Sequence, residues 1–453
     1  MKKTIEEHIL EIKKSEPISQ RQLWYKGSIK NFNVYEVDPN LLKFNYLNGR
    51  IGTEVMEHEG LDGHHISNKS VDELNDLIEQ FIWDKTPGPN KDTKTNISER
   101  GQLEPGVITR DGIIVDGNRR FMCIRKLNKE GKNLPFKAII LDDTYKDGGS
   151  KEQQIKILET QIQLGTDEKL GYSPLEKYWK IIDFIDKYID VTSPTMSIDS
   201  LVEIMRAKKP SEIRQNYGIG KMMQEYLVYI GAPNIYSRLR NTEDLFINLY
   251  KNYELYSKGK GKVGWHVEEF DLDEYKDFAF NLIRYIYNVD KKHIGEWNPK
   301  KVRELFFIDS QEKAIFTNKN IWEEARDSNN EDISSFDCSA DDFMEDCNHN
   351  LSVAAAKADK VWADKVSPAL RGVLSKAKNR LENKALINKP EQLIEEAFRK
   401  LSSLIDEDRF KNNMEVEFED GVLRSLERHS AKNFEYVNSI RKIAEVLKKN
   451  LQP

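Results

Sequence analysis

Four residues, Gly117-Asn118-Arg119-Arg120, carry the chemistry this sequence offers most openly. An apolar run, Ile113-Ile114-Val115, leads through Asp116 into the glycine, and Phe121-Met122-Cys123-Ile124 continues beyond the arginines with spacing that suits a helix. A strand that turns at glycine into a helix leaves the first helical N–H groups without partners, at the positive end of the helix dipole. With two guanidiniums beside them, such a turn is built to hold an anion, phosphate above all. The competing reading is an ordinary strand-to-helix turn with two solvated arginines.

The elements that must position this turn follow from pattern and punctuation. Residues 1–30 read as an N-terminal helical arm: an amphipathic helix with Ile5, Ile9 and Ile12, then a polar connection. Residues 31–150 read as a mixed α/β domain with a strand near Val34–Val37, a helix over Val71–Phe81 and a strand over Phe136–Leu141. Within it, Trp83–Lys94 is polar and rich in turn formers and is expected to be a surface loop. From Lys151 onward apolar residues recur at helical spacing, as in Leu175, Trp179, Ile182 and Ile185. This part divides into a helical domain at 151–240, another at 241–335, an acidic linker at 336–350 and a C-terminal helical region at 351–453. The expected fold class is α+β, a mixed α/β N-terminal domain followed by a mainly α-helical remainder.

The order strand, helix, Gly-Gln-x-x-Pro, strand, Gly-x-Arg-Arg resembles the N-terminal domain of the ParB family, related to sulfiredoxin. The matching pieces are Val34 to Leu42, the helix from Val71, Gly101-Gln102-Leu103-Glu104-Pro105, Ile114 to Arg120 and the strand Phe136 to Leu141, covering roughly the first half of the chain. The resemblance implies a site for the phosphates of CTP or ATP with Mg²⁺, with Gly101, Gln102, Gly117, Asn118, Arg119 and Arg120 on the phosphate side. It also implies a third motif on the next helix, matched by Thr160-Gln161-Ile162-Gln163-Leu164, so Gln161 and Gln163 join the candidates. Two departures matter. Asn118 stands where the family has glutamate, and an amide is no general base at neutral pH. The third motif lacks both its carboxylate and its arginine. Asp116 and Glu159 are therefore the candidate catalytic carboxylates, and binding is expected more readily than hydrolysis. A ParB-like nuclease, NTPase or kinase, and an interaction subunit with a relic domain, remain the alternatives.

Downstream, Ser197 and Ser211 read as helix caps, and Tyr217-Gly218-Ile219-Gly220 reads as a turn before Lys221–Ile230. This makes a helix-turn-helix-like unit in which Lys221 and Gln224 face bases and Lys208, Lys209 and Arg214 lie near phosphates of DNA. Bundle helices joined by a glycine turn are the plainer reading. The net charge of −6 gives no global attraction to nucleic acid, so DNA must be met by a local basic face. Trp362, Val366, Leu370 and Leu374 form an apolar stripe expected to make a homodimer through the C-terminal helices. His58, His64 and His65 with nearby acids, and Cys338 and Cys347 with His349, match no defensible metal spacing, and no metal site is expected. Three cysteines and no long apolar run point to a cytoplasmic protein without a membrane span.

Overall fold

Alternating apolar residues build the N-terminal sheet. In the computed structural model, β1 (Ser19–Tyr25) and β2 (Ser28–Val37) form a hairpin, and β3 (Gly106–Ile108), β4 (Ile114–Asp116) and β5 (Phe136–Ile140) complete the order β1-β2-β5-β3-β4. β3 runs parallel to β5, and the other neighbours are antiparallel. The structure describes residues 3–46, 48, 51–62, 65–165, 173–289, 297–310, 313–348 and 350–387, with scattered positions between 394 and 449. The chain divides into two units, Met1–Leu374 and Ser375–Pro453.

The hairpin reverses at Lys26 and Gly27, whose φ angles of 53° and 77° match the two-residue turns that suit strand twist. Residues 19–30 therefore belong to the sheet and are not the polar connection expected from the sequence. β1 is an edge strand exposed along most of its length, so no apolar alternation marks it.

Eight helices surround or follow the sheet up to the end of its domain and just beyond: α1 (Ile5–Ile12), α2 (Gly52–Asp62), α3 (Val71–Lys85), α4 (Pro87–Arg100), α5 (Asn118–Lys129), α6 (Gly149–Gly165), α7 (Pro174–Phe184) and α8 (Ile198–Met205), counted among the described residues. β5 shows how the sheet is sandwiched. Phe136, Ala138 and Ile140 join the larger core with Ile78 of α3 and Phe121 and Ile124 of α5, whereas Ile139 packs on the opposite face with Ile155 and Leu158 of α6.

The Trp83–Lys94 stretch is helical, not a loop: α3 runs on to Lys85 and α4 starts at Pro87. Proline suits the first helical position, where the N–H has no partner and φ is already set. Asn90 fixes the corner, donating from Nδ2 to the carbonyls of Ile82 (2.7 Å) and Trp83 (3.1 Å) at the end of α3.

The remainder is helical: α9 (Pro210–Tyr229), α10 (Glu243–Ser257), α11 (Glu269–Asn288), α12 (Pro299–Phe306), α13 (Lys319–Asp332) and α14 (Leu351–Ile387). Ser197 caps α8 as expected, but α9 begins at Pro210 after Lys209 and runs unbroken through Gly218 and Gly220. These glycines mark close packing, not a turn. A Cβ at Gly218 would lie 2.1 Å from the Tyr250 ring of α10, and one at Gly220 2.7 Å from Ile182 of α7. The turn of the helix pair is therefore at 206–209, between α8 and α9.

Trp362, Val366, Leu370 and Leu374, the stripe expected to face a second copy, are buried in the chain itself. Arg284 of α11 lies 4.6 Å over the Trp362 ring and 2.8 Å from Asp359, and it also donates to the Cys338 carbonyl. That last bond ties Cys338 to α11, and Cys338 and Ala340 are buried. The rest of the expected C-terminal helical region, 388–453, lies outside the described residues apart from scattered positions. Among the described residues no helix is long and apolar enough to cross a membrane.

Candidate functional site

The strand, turn and helix expected around Gly117 are present as β4, a single left-handed glycine and α5. Gly117 has φ 102°, and a Cβ there would press on Phe136 at 3.1 Å and on the Gly106 backbone at 3.3 Å, so both space and conformation select glycine. No side chain caps α5. Both amide atoms of Asn118, its first residue, are buried and without a hydrogen-bond partner. A buried amide left in that state costs a few kcal/mol, and a ligand at the helix end would remove the cost.

In front of this end opens a cavity of about 780 Å³. It brings together most of the residues singled out in the sequence: Gly101, Gln102, Asp116, Gly117, Asn118, Arg119, Arg120 and Gln163 all line it. Arg120 is oriented by Asp116, with Nη2 2.7 Å from Oδ2, so the carboxylate left open as a base is an arginine's partner. Arg119 reaches Thr86 Oγ1 at 3.4 Å, which joins α5 to the start of α4.

Gln102 has another task. Its Nε2 donates to the carbonyls of Glu104 and Lys137, both at 2.9 Å, and its Oε1 accepts from Lys137 N at 2.8 Å. Both amide protons are committed to backbone, so Gln102 pins the 101–105 loop to β5 and has none left for a phosphate. Gly101, with φ 74°, starts that loop at the end of α4.

On α6 only Gln163 lines the cavity. Gln161 is two residues away, about 200° around the helix, and Glu159 sits one turn behind Gln163. There Glu159 is buried 3.5 Å from Lys180 and accepts from Gln163 Nε2 at 3.4 Å. This pairing makes Glu159 part of the packing behind the site.

Several lining residues escaped the sequence reading. Asp92, Thr93, Asn96 and Ile97 form one face of α4, hidden because that segment lacks an apolar stripe. Lys85, Glu176 and Ser173 come from the end of α3 and the start of α7, and Lys85 Nζ bridges Glu176 (2.6 Å) and Glu54 (2.7 Å). The capping box of α7, Ser173 with Glu176, was a readable signal for its boundary but not for its place in the cavity. Of the lining carboxylates, Asp116 pairs with Arg120, Glu176 with Lys85 and Glu104 with Arg21, while Asp92 has no ion pair among the described residues.

The expected DNA-facing residues lie elsewhere, on and before α9. Arg214 is paired with Asp190 (2.6 Å), Lys221 with Asp186 (2.8 Å), and Gln224 with the Tyr236 hydroxyl. Lys208 and Lys209 are exposed at the turn before α9. The histidine-rich segment forms no metal cluster among the described residues. His64 and His349 lie outside the described residues, and Glu57 is engaged by Ser237 and Ser352 instead. Cys338 is buried and donates to the Ala358 carbonyl.

No family model matches the chain, and no curated protein matches it. Among solved structures it is similar to the Pnob8-like ParB-N domain in its C2221 form, at 13% identity, over 56% of this chain and 88% of that one. The TM-score is 0.32, a likeness too loose to argue from.

Proposed function

We propose that the cavity binds the phosphates of a nucleoside triphosphate, and that the protein is a nucleotide-responsive DNA-binding factor. The observation that carries the first part is the Asn118 amide, buried and unbonded at the uncapped end of α5, with the guanidiniums of Arg119 and Arg120 beside it. Peptide N–H groups, a helix dipole and two arginines are the donors that a polyphosphate requires. CTP and ATP are the candidate nucleotides on the motif resemblance.

Mg²⁺ commonly takes one or two protein carboxylates and completes its shell with phosphate oxygens and water. Asp92 is a lining carboxylate without a counter-ion among the described residues and fits that role. Bound there, the metal would neutralise phosphate charge. Hydrolysis is weak or absent in this reading, since Asp116 is committed to Arg120 and Asn118 cannot take a proton from water. DNA contact is assigned to the α8–α9 pair, where Lys208 and Lys209 are exposed beside the exposed Arg206.

Thermal melts with CTP, ATP and GTP, with and without Mg²⁺, test the site. A ligand at about 100 times its dissociation constant stabilises by about 2.7 kcal/mol. Asn118→Asp, which puts a negative charge where the phosphate sits, is expected to abolish the shift. No shift with any nucleotide would overturn the reading. For the DNA part, salt-dependent binding is expected to be lost in a Lys208→Ala, Lys209→Ala double variant.

A further inference from the structure

Lys85 ties together the two helices that lead away from the cavity. Its ammonium lies 2.7 Å from Glu54 on α2 and 2.6 Å from Glu176 on α7. Three residues further along each helix, on the same face, a second contact reaches one short 3-10 segment, Tyr236–Leu239. On α2, Glu57 accepts from Ser237 N at 3.1 Å and from Ser237 Oγ at 2.8 Å. On α7, the Trp179 ring packs on Tyr236 with centroids 4.6 Å apart.

Glu57 of α2 and that segment together hold the start of α14. Ser352 Oγ donates to the same Glu57 oxygen at 2.8 Å, and Arg238 Nε lies 3.1 Å from Asp359. Two routes therefore leave one cavity lysine, converge on four residues and end on one long helix.

We propose that Lys85 senses the bound anion, and that binding is transmitted through α2 and α7 to Tyr236–Leu239 and the first turns of α14. The proposal rests on the cavity being a phosphate site. A single ammonium shared by two carboxylates leaves one negative charge uncompensated, and a polyphosphate entering the same cavity competes strongly for it. Glu176 is buried, so losing its cation obliges it to find water or another partner. The response is then a switch between two arrangements of α2 and α7 rather than a graded shift.

Hydrogen exchange on the full chain tests this, with CTP–Mg²⁺, ATP–Mg²⁺ or inorganic triphosphate as probes and the melting shift as the sign of binding. Amides in 351–366 are expected to change exchange rate by about five- to tenfold with a probe that shifts the melt. Glu57→Ala and, as the milder change, Ser352→Ala lie outside the cavity; both are expected to keep the melting shift and lose most of the exchange response. A probe that shifts the melt without altering exchange in 351–366 overturns the coupling and leaves the phosphate site standing. A full response in both variants also overturns it. The absence of a melting shift with every probe overturns the coupling and the phosphate site together.

Discussion

Asn118 and Gln102 are both amides in motif positions, and their surroundings give them opposite roles. Asn118 has buried, unbonded atoms at a helix end, whereas Gln102 spends its amide on the backbone of Glu104 and Lys137. Gln102→Ala is expected to destabilise by about 2–3 kcal/mol, because buried backbone groups at Lys137 lose their partners, and a lowered melting temperature would show it. The turn proposed to hold an anion was legible because glycine, amide and arginines are contiguous and act through local geometry. Lys85 and Glu176 were not legible, since they lie 91 positions apart and only the fold, which brings the end of α3 to the start of α7, makes them a pair.

At the scale of elements, glycine misled most. Gly218 reads as a helix breaker, yet it sits inside α9 because the Tyr250 ring takes the space of a side chain. Gly218→Ala therefore sets a gain of about 1 kcal/mol in helix propensity against an overpacking cost of about 1–3 kcal/mol, and a net loss of stability is expected. Gly372 in α14 is the control. Nothing lies within 4 Å of a Cβ there, so Gly372→Ala is expected to stabilise by about 0.5–1 kcal/mol in the same denaturation experiment. α4 was missed for the complementary reason: its polar residues face solvent and a cavity, and of its two buried residues, Asn90 and Ile97, only the isoleucine is apolar. β2, β5 and α5, each with an apolar pattern of its own, were readable.

Across the whole molecule, buried carboxylates set the response to acid. Burial pushes the Asp111 carboxyl up, but hydrogen bonds from Thr109 and Thr144, with Lys43 and Lys146 nearby, bring it below its ordinary value of 3.8. Asp183 is likewise held low, burial being outweighed by Lys156 and Lys187. A depressed folded pKa means that the unfolded chain binds the proton more readily, so this stability is complete above the ordinary value and is lost as pH falls through the folded one. Asp359 works in the other direction, since burial raises it despite Arg284 and Arg238. The melting temperature is expected to hold down to about pH 5 and fall steeply below about pH 4. In Asp111→Asn the fall should be shallower, from a lower starting value.

The bond between Glu57 and Ser352 joins residues 295 positions apart. At about 5–20 residues per second, a ribosome needs about 15–60 s to deliver the second partner after the first. Within that interval the sheet and its cavity can form, since the strands end at Ile140 and the cavity lining at Glu176, while α2 waits for the hydroxyl that completes its outer face. A nascent chain would thus own the cavity well before it owns the helix that the cavity is proposed to control, and anion binding during synthesis, if the proposal holds, would go unreported until α14 emerged.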